Sequence, residues 1–116
     1  MVSIETPNGV ISINDDVFAN IAGEAATNCF GVKGMAGRGK DGGIFTLRRE
    51  SMSKGVFAEL DEEGNVSLKL HIVVDNGVNI TALCRSIMGE VSYKVSQATG
   101  VPVKSVDVYV DTMLIG

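Results

Sequence analysis

The sequence predicts an α+β fold: a two-layer sandwich in which two amphipathic helices pack on one face of a small mixed β-sheet. Three observations carry this reading. Apolar residues recur at helical spacing in two segments, one from Val17 and one from Ile80. Residues 66–75, "VSLKLHIVVD", alternate with the period of a half-buried strand. Two helical stripes and one apolar sheet face then need each other for burial, which a two-layer arrangement satisfies.

Residues 9–13, "GVISI", read as a short strand. Asn14 or Asp15 can cap the helix that follows, and Asp15 and Asp16 suit the positive end of its dipole. Val17, Ile21, Ala22, Ala25 and Cys29 form its apolar stripe, with Gly31 as a left-handed stop. A short strand is expected next, then a long irregular stretch at about 36–54 with room for one helical turn around Ile44, Leu47 and Arg48. "GVFAEL" (55–60) and residues 66–75 form a hairpin across "DEEGN", where Gly64 is free to take a positive φ. Val66, Leu68, Leu70, Ile72 and Val74 share one face of the second strand. Ser67, Lys69, His71 and Asp75, with Val73, share the other. Asn79 caps the second helix, and its stripe runs through Ile80, Leu83, Cys84, Ile87, Val91, Val95 and Ala98 to a stop at Gly100 and Pro102. In the last strand Val106, Val108 and Val110 face one way, and Ser105, Asp107, Tyr109 and Asp111 the other. The apolar "MLI" that follows (113–115) has no evident place in the core.

A chain of 116 residues is expected to form one domain, residues 1–116, large enough for a real core. No apolar run approaches the ~20 residues of a membrane-spanning helix, so no direct membrane span is expected. "MVSIETPNGV" lacks the basic and apolar regions of a secretory signal, and two cysteines suit reduced thiols in a cytoplasmic protein. Cys29 and Cys84 are far apart and His71 is the only histidine, so no metal-ligand spacing is present.

The net charge of −4 hides an asymmetry. Lys33, Arg38, Lys40, Arg48, Arg49 and Lys54 fall within residues 33–54, against only Asp41 and Glu50. That segment carries +4 and the rest of the chain −8. A basic segment on an acidic body points to an acidic protein surface or a neighbouring copy as partner. The candidate partner-binding residues are these six cations together with Met113, Leu114 and Ile115.

"GMAGRGKDGG" (34–43) spells two phosphate-binding patterns, G-x-x-x-x-G-K and G-x-G-x-x-G. Asp41 stands where the first needs a magnesium-binding hydroxyl, and Gly42 and Gly43 disfavour the helix whose N–H groups would hold phosphate. The second lacks the following chain for a parallel sheet. "GMAG" also spells the GXXG of KH-type RNA binders, but aromatics are 5% and the body is acidic, so no nucleic acid is expected. A basic loop, turning sharply at the sheet edge, explains the glycines better. His71 reads as a surface strand residue and neither cysteine has an identifiable base, so no catalytic residue and no cofactor is assigned.

"GVISI", "IAGEAA", "GVKGMAG", "IVVDNGVNI" and "TGVPVKSVDVYV" occur in this order across residues 8–113. Together they resemble the bacterial alkaline-shock (envelope stress response) protein family, in its short single-domain form. The resemblance implies a non-enzymatic cytoplasmic protein that self-assembles and reaches the envelope through a membrane-anchored partner. An alternative it implies is an accessory role beside a dihydroxyacetone-kinase-like or fatty-acid kinase. Nucleotide binding through residues 34–43 is the remaining alternative.

Overall fold

A computed structural model describes residues 2–38, 44–46 and 55–114. In chain order the elements are β1 (Val2–Thr6), β2 (Gly9–Ile13), α1 (Asp15–Thr27), β3 (Val32–Arg38), β4 (Ile44–Thr46), β5 (Val56–Leu60), β6 (Val66–Asp75), α2 (Ile80–Thr99) and β7 (Val103–Leu114). The fold is α+β, as the apolar patterning predicts. β1, unforeseen in the sequence, pairs antiparallel with β2 in a separate ribbon.

β6 organises the main sheet. β7 runs parallel along one edge, while β5 and β3 share the other, pairing antiparallel with residues 66–70 and 72–74 respectively. Gly55 sits where those two strands meet. A Cβ there would lie 3.0 Å from Met35 Cβ, 3.1 Å from the Ala36 carbonyl oxygen and 3.2 Å from that of His71. Backbone lines two sides of this junction, so a side chain fits only if its neighbours give way by a few tenths of an ångström.

Val66, Leu68, Leu70, Ile72 and Val74 are fully buried on the inner face of β6. α1 lies over β3 and β5, and α2 over β7. α1 presents Phe18, Ala19, Ala22, Ala25 and Ala26, mostly small residues that allow a close approach. α2 presents Leu83, Ile87, Val91 and Val95. Each large side chain so buried contributes about 1.5–3 kcal/mol relative to exposure. The α2 stripe is narrower than predicted: Ile80 and Ala98 are exposed, because only the i, i+4 row faces the sheet.

The predicted caps hold in part. The Asn14 side chain accepts from the Asp16 N–H at 3.0 Å, and Asn79 from that of Ala82 at 3.0 Å. Gly100 ends α2 in the left-handed region, its N–H bonded to the Ser96 carbonyl at 2.9 Å. Gly31 does not end α1. The helix stops at Thr27, with the Asn28 N–H satisfied by the Glu24 and Ala26 carbonyls.

Three further expectations are corrected. Met113 packs against the core, because β7 continues to Leu114 instead of ending before the apolar tail. Ile44–Thr46 is a strand paired with β3, not a helical turn; Leu47 and Arg48 lie outside the described residues. "GMAG" is extended strand within β3, not a turn.

Candidate interaction surfaces

On the outer face of the sheet the alternation of three strands brings Phe57, Lys69, His71 and Tyr109 together. His71 and Tyr109 are register partners in β6 and β7, and their rings stack at 4.7 Å with planes 12° apart. Phe57 meets the His71 ring edge-on at 5.8 Å. Asp111 completes the group: its two carboxylate oxygens lie 3.0 and 3.2 Å from His71 Nδ1.

Asp111 lies two residues beyond Tyr109, on the face that the alternation of β7 assigns to both, and a register shift falls at this point of the strand. Ile72 pairs with Val110 but Val73 pairs with Thr112, so Asp111 is an extra residue in the strand. An ionised carboxylate only accepts, so Nδ1 carries the ring proton and Nε2 is the acceptor of the neutral ring. The ring is thus fixed on three sides.

No described helix covers this half of the face. Phe57 is 56% exposed and Tyr109 42%. Aromatic side chains held in one geometry yet open to solvent lose little entropy on contact, which suits them as binding anchors. The sequence places His71 on one strand face and Tyr109 with Asp111 on another, but the parallel pairing that brings them together joins residues forty apart, which no local pattern announces.

A second feature lies at the end of the sheet. A groove of about 850 Å³ runs between the end of α1 and the start of α2, with Cys29, Val78 and Leu83 as apolar wall and Asp75 and Glu90 as acidic groups. Phe30 stands at its lip, 98% exposed. Burial, and secondarily the charge of Glu90, hold the Cys29 thiol above its ordinary value, and burial alone does so for Cys84. Both thiols are half-buried and free, and neither is activated.

Of the predicted contact residues, Lys33, Arg38, Met113 and Leu114 are among those described. Lys33 is exposed and reaches Asp75 at 4.0 Å, a surface pair worth about 0–1 kcal/mol. It is itself the extra residue of a bulge in β3. Arg38 closes β3. Met113 is partly buried and packs against the core, while Leu114 is exposed at the end of β7. Lys40, Arg48, Arg49, Lys54 and Ile115 lie outside the described residues. The first half of the glycine-rich motif is committed to sheet pairing: Gly34 and Met35 pair with β6, and Ala36, Gly37 and Arg38 with β4. Residues 39–43 are outside the described set.

Among the described residues no group of three or more His, Cys, Asp or Glu is placed to hold a metal ion. No described helix is long and apolar enough to cross a membrane.

Residues 3–115 match the model of the alkaline-shock protein 23 family, described as of cell envelope-related function. The chain belongs to this alkaline-shock family. The match agrees with the resemblance carried by its ordered motifs. Among relatives, the chain is 36% identical over 112 residues to YloU of Bacillus subtilis (strain 168), described as uncharacterized, covering 94% of this chain and 92% of that one. It is 34% identical over 114 residues to Spy1614 of Streptococcus pyogenes serotype M6, also described as uncharacterized, covering 97% and 93%. The copper form of the MamM CTD is similar in fold, with a TM-score of 0.50 at 18% identity over 87% of this chain and 88% of that one. At that identity the likeness speaks to the fold alone.

Proposed function

We propose that this alkaline-shock-family chain is a non-enzymatic protein-binding module of the cell envelope, which docks a protein partner on the open half of its sheet. The observation that carries the reading is the ordered, uncovered cluster of Phe57, His71 and Tyr109. Such a cluster offers apolar area at low entropic cost, with His71 Nε2 and the Tyr109 hydroxyl as polar handles. The family's envelope-related description supports the setting. The +4 of residues 33–54 against the −8 of the remainder supports an acidic partner surface, drawn in by charge and released by salt.

Capture from an extract of the native cell, followed by mass spectrometry, tests this. Wild type is expected to retain an envelope protein that the double variant F57E/Y109E loses and that K40E/R48E/R49E holds more weakly. Equal retention by all three proteins contradicts the proposal.

A further inference from the structure

The groove between the end of α1 and the start of α2 carries charge of one sign. Among its described lining residues Asp75 and Glu90 are charged, and none is a lysine or arginine. Lys33 lies 4.0 Å from Asp75 and Lys94 3.9 Å from Glu90, but both pairs are about half exposed and at the limit of ion pairing. The lysines stand outside the lining and leave its potential negative. The Cys29 thiol in the wall registers this, since the charge of Glu90 adds to burial in raising its pKa. Such a site repels phosphates and carboxylates and attracts a cation.

The rest of the lining suits an organic cation. Among the described residues no group of three or more His, Cys, Asp or Glu could hold a metal ion. The groove, about 850 Å³, has Cys29, Val78 and Leu83 as apolar wall, and Asn28, Asn76 and Ser86 each carry a side-chain oxygen that can accept. Apolar walls with a few convergent polar groups are typical of small-molecule sites. Phe30 stands at the lip, 98% exposed, where its ring face can meet a cation. A tight turn presents it, closed by the Val32 N–H on the Cys29 carbonyl at 3.2 Å, with Gly31 in the third position at φ +103. The Gly31 carbonyl accepts from the Asp75 N–H at 2.9 Å, which ties this turn to the strand end that carries Asp75.

We propose that the groove binds a small organic cation, a guanidinium group on an apolar stem. Asp75 and Glu90 neutralise the charge, Phe30 stacks on the guanidinium plane, and Val78 and Leu83 take the stem. A guanidinium fits better than an ammonium because its planar fork of donors serves separated acceptors while its face stacks. The site is separate from the open sheet half and does not depend on the function proposed for it.

Titration with N-benzoyl-L-arginine amide, followed by amide NMR, tests the site. Wild type is expected to show saturable shifts at residues 28–31 and 75–79, and weaker binding of the lysine counterpart. The citrulline counterpart, equal in shape but uncharged, is expected to bind more weakly than either. D75N, E90Q and F30L should each weaken binding about two- to fivefold, the scale of exposed ion pairs and cation–π contacts. K33A/K94A, which frees both carboxylates, should tighten it, and F57E/Y109E should bind as wild type does. Absence of saturable shifts overturns the proposal, as does equal binding of the citrulline compound. Affinity unchanged in D75N, E90Q and F30L, or shifts confined to the sheet face, overturns it too.

Discussion

Asp111 holds the His71 ring by Nδ1 at 3.0 Å, across a bulge in β7 and on the face of the sheet away from the helices. The side chains are 29% and 14% exposed for His71 and Asp111, so solvent weakens the contact without removing it. D111N keeps an acceptor but loses its charge, and is expected to cost about 1 kcal/mol by urea denaturation, less than a fully buried charged hydrogen bond. Nitrogen NMR of the imidazole should show the proton on Nδ1 in wild type and a mixture of tautomers in D111N. A wild type protonated on Nε2 would contradict the arrangement.

Gly55 is a point at which a single methyl should do harm. G55A places its Cβ against Met35 Cβ and two backbone carbonyls, neither of which can rotate away. The expected loss is about 1–3 kcal/mol in denaturant midpoint analysis, the range for overpacking. Stability equal to wild type would show that β3 and β5 do not meet on β6 as described.

The β5–β6 turn carries its own pH dependence. The Asp61 carboxylate accepts from the Asn65 and Glu63 N–H groups, both at 2.9 Å, and Lys104 lies 3.7 Å away. The bond from Asn65 contributes most to holding its pKa below the ordinary value, followed after a smaller opposing effect of burial by the bond from Glu63 and the charge of Lys104. A lowered folded value means stability that is present above the unfolded value and lost as pH falls through the folded one. The window therefore lies below about 4. Melting temperature should fall more steeply across that window in wild type than in D61N, which keeps an acceptor but cannot titrate.

Both thiols should react slowly. Burial raises Cys29 and Cys84, so less thiolate is present at a given pH than for free cysteine. Reaction with an aromatic disulfide at mildly alkaline pH is expected to run slower than that of free cysteine in C29S and in C84S alike. A rate above that of free cysteine at either position would revive a nucleophilic role.

Much of the architecture is legible in the residues themselves. The alternation from Val66 to Val74 defines the central strand, and Asn79 with Gly100 brackets α2, because these signals are local and physically specific. β1 escapes the apolar patterning, although Pro7 and Asn8 make a two-residue turn between Thr6 and Gly9, a signal available in the sequence. The interaction surfaces are not legible. Asp111 meets His71 only through the parallel register of two strands far apart in sequence, and nothing in "NCFG" distinguishes an exposed Phe30 from a buried one. The charge asymmetry is visible at once, but four of its six cations lie outside the described residues.

The central claim is that a protein docks on the open sheet half, and photo-crosslinking in the native cell tests it most directly. A benzoylphenylalanine introduced at Tyr109 is expected to give one discrete adduct with an envelope protein, reduced by salt in permeabilised cells. The same probe at Arg85, exposed on α2, is expected to give none. An adduct from position 85 with none from 109 would contradict the account.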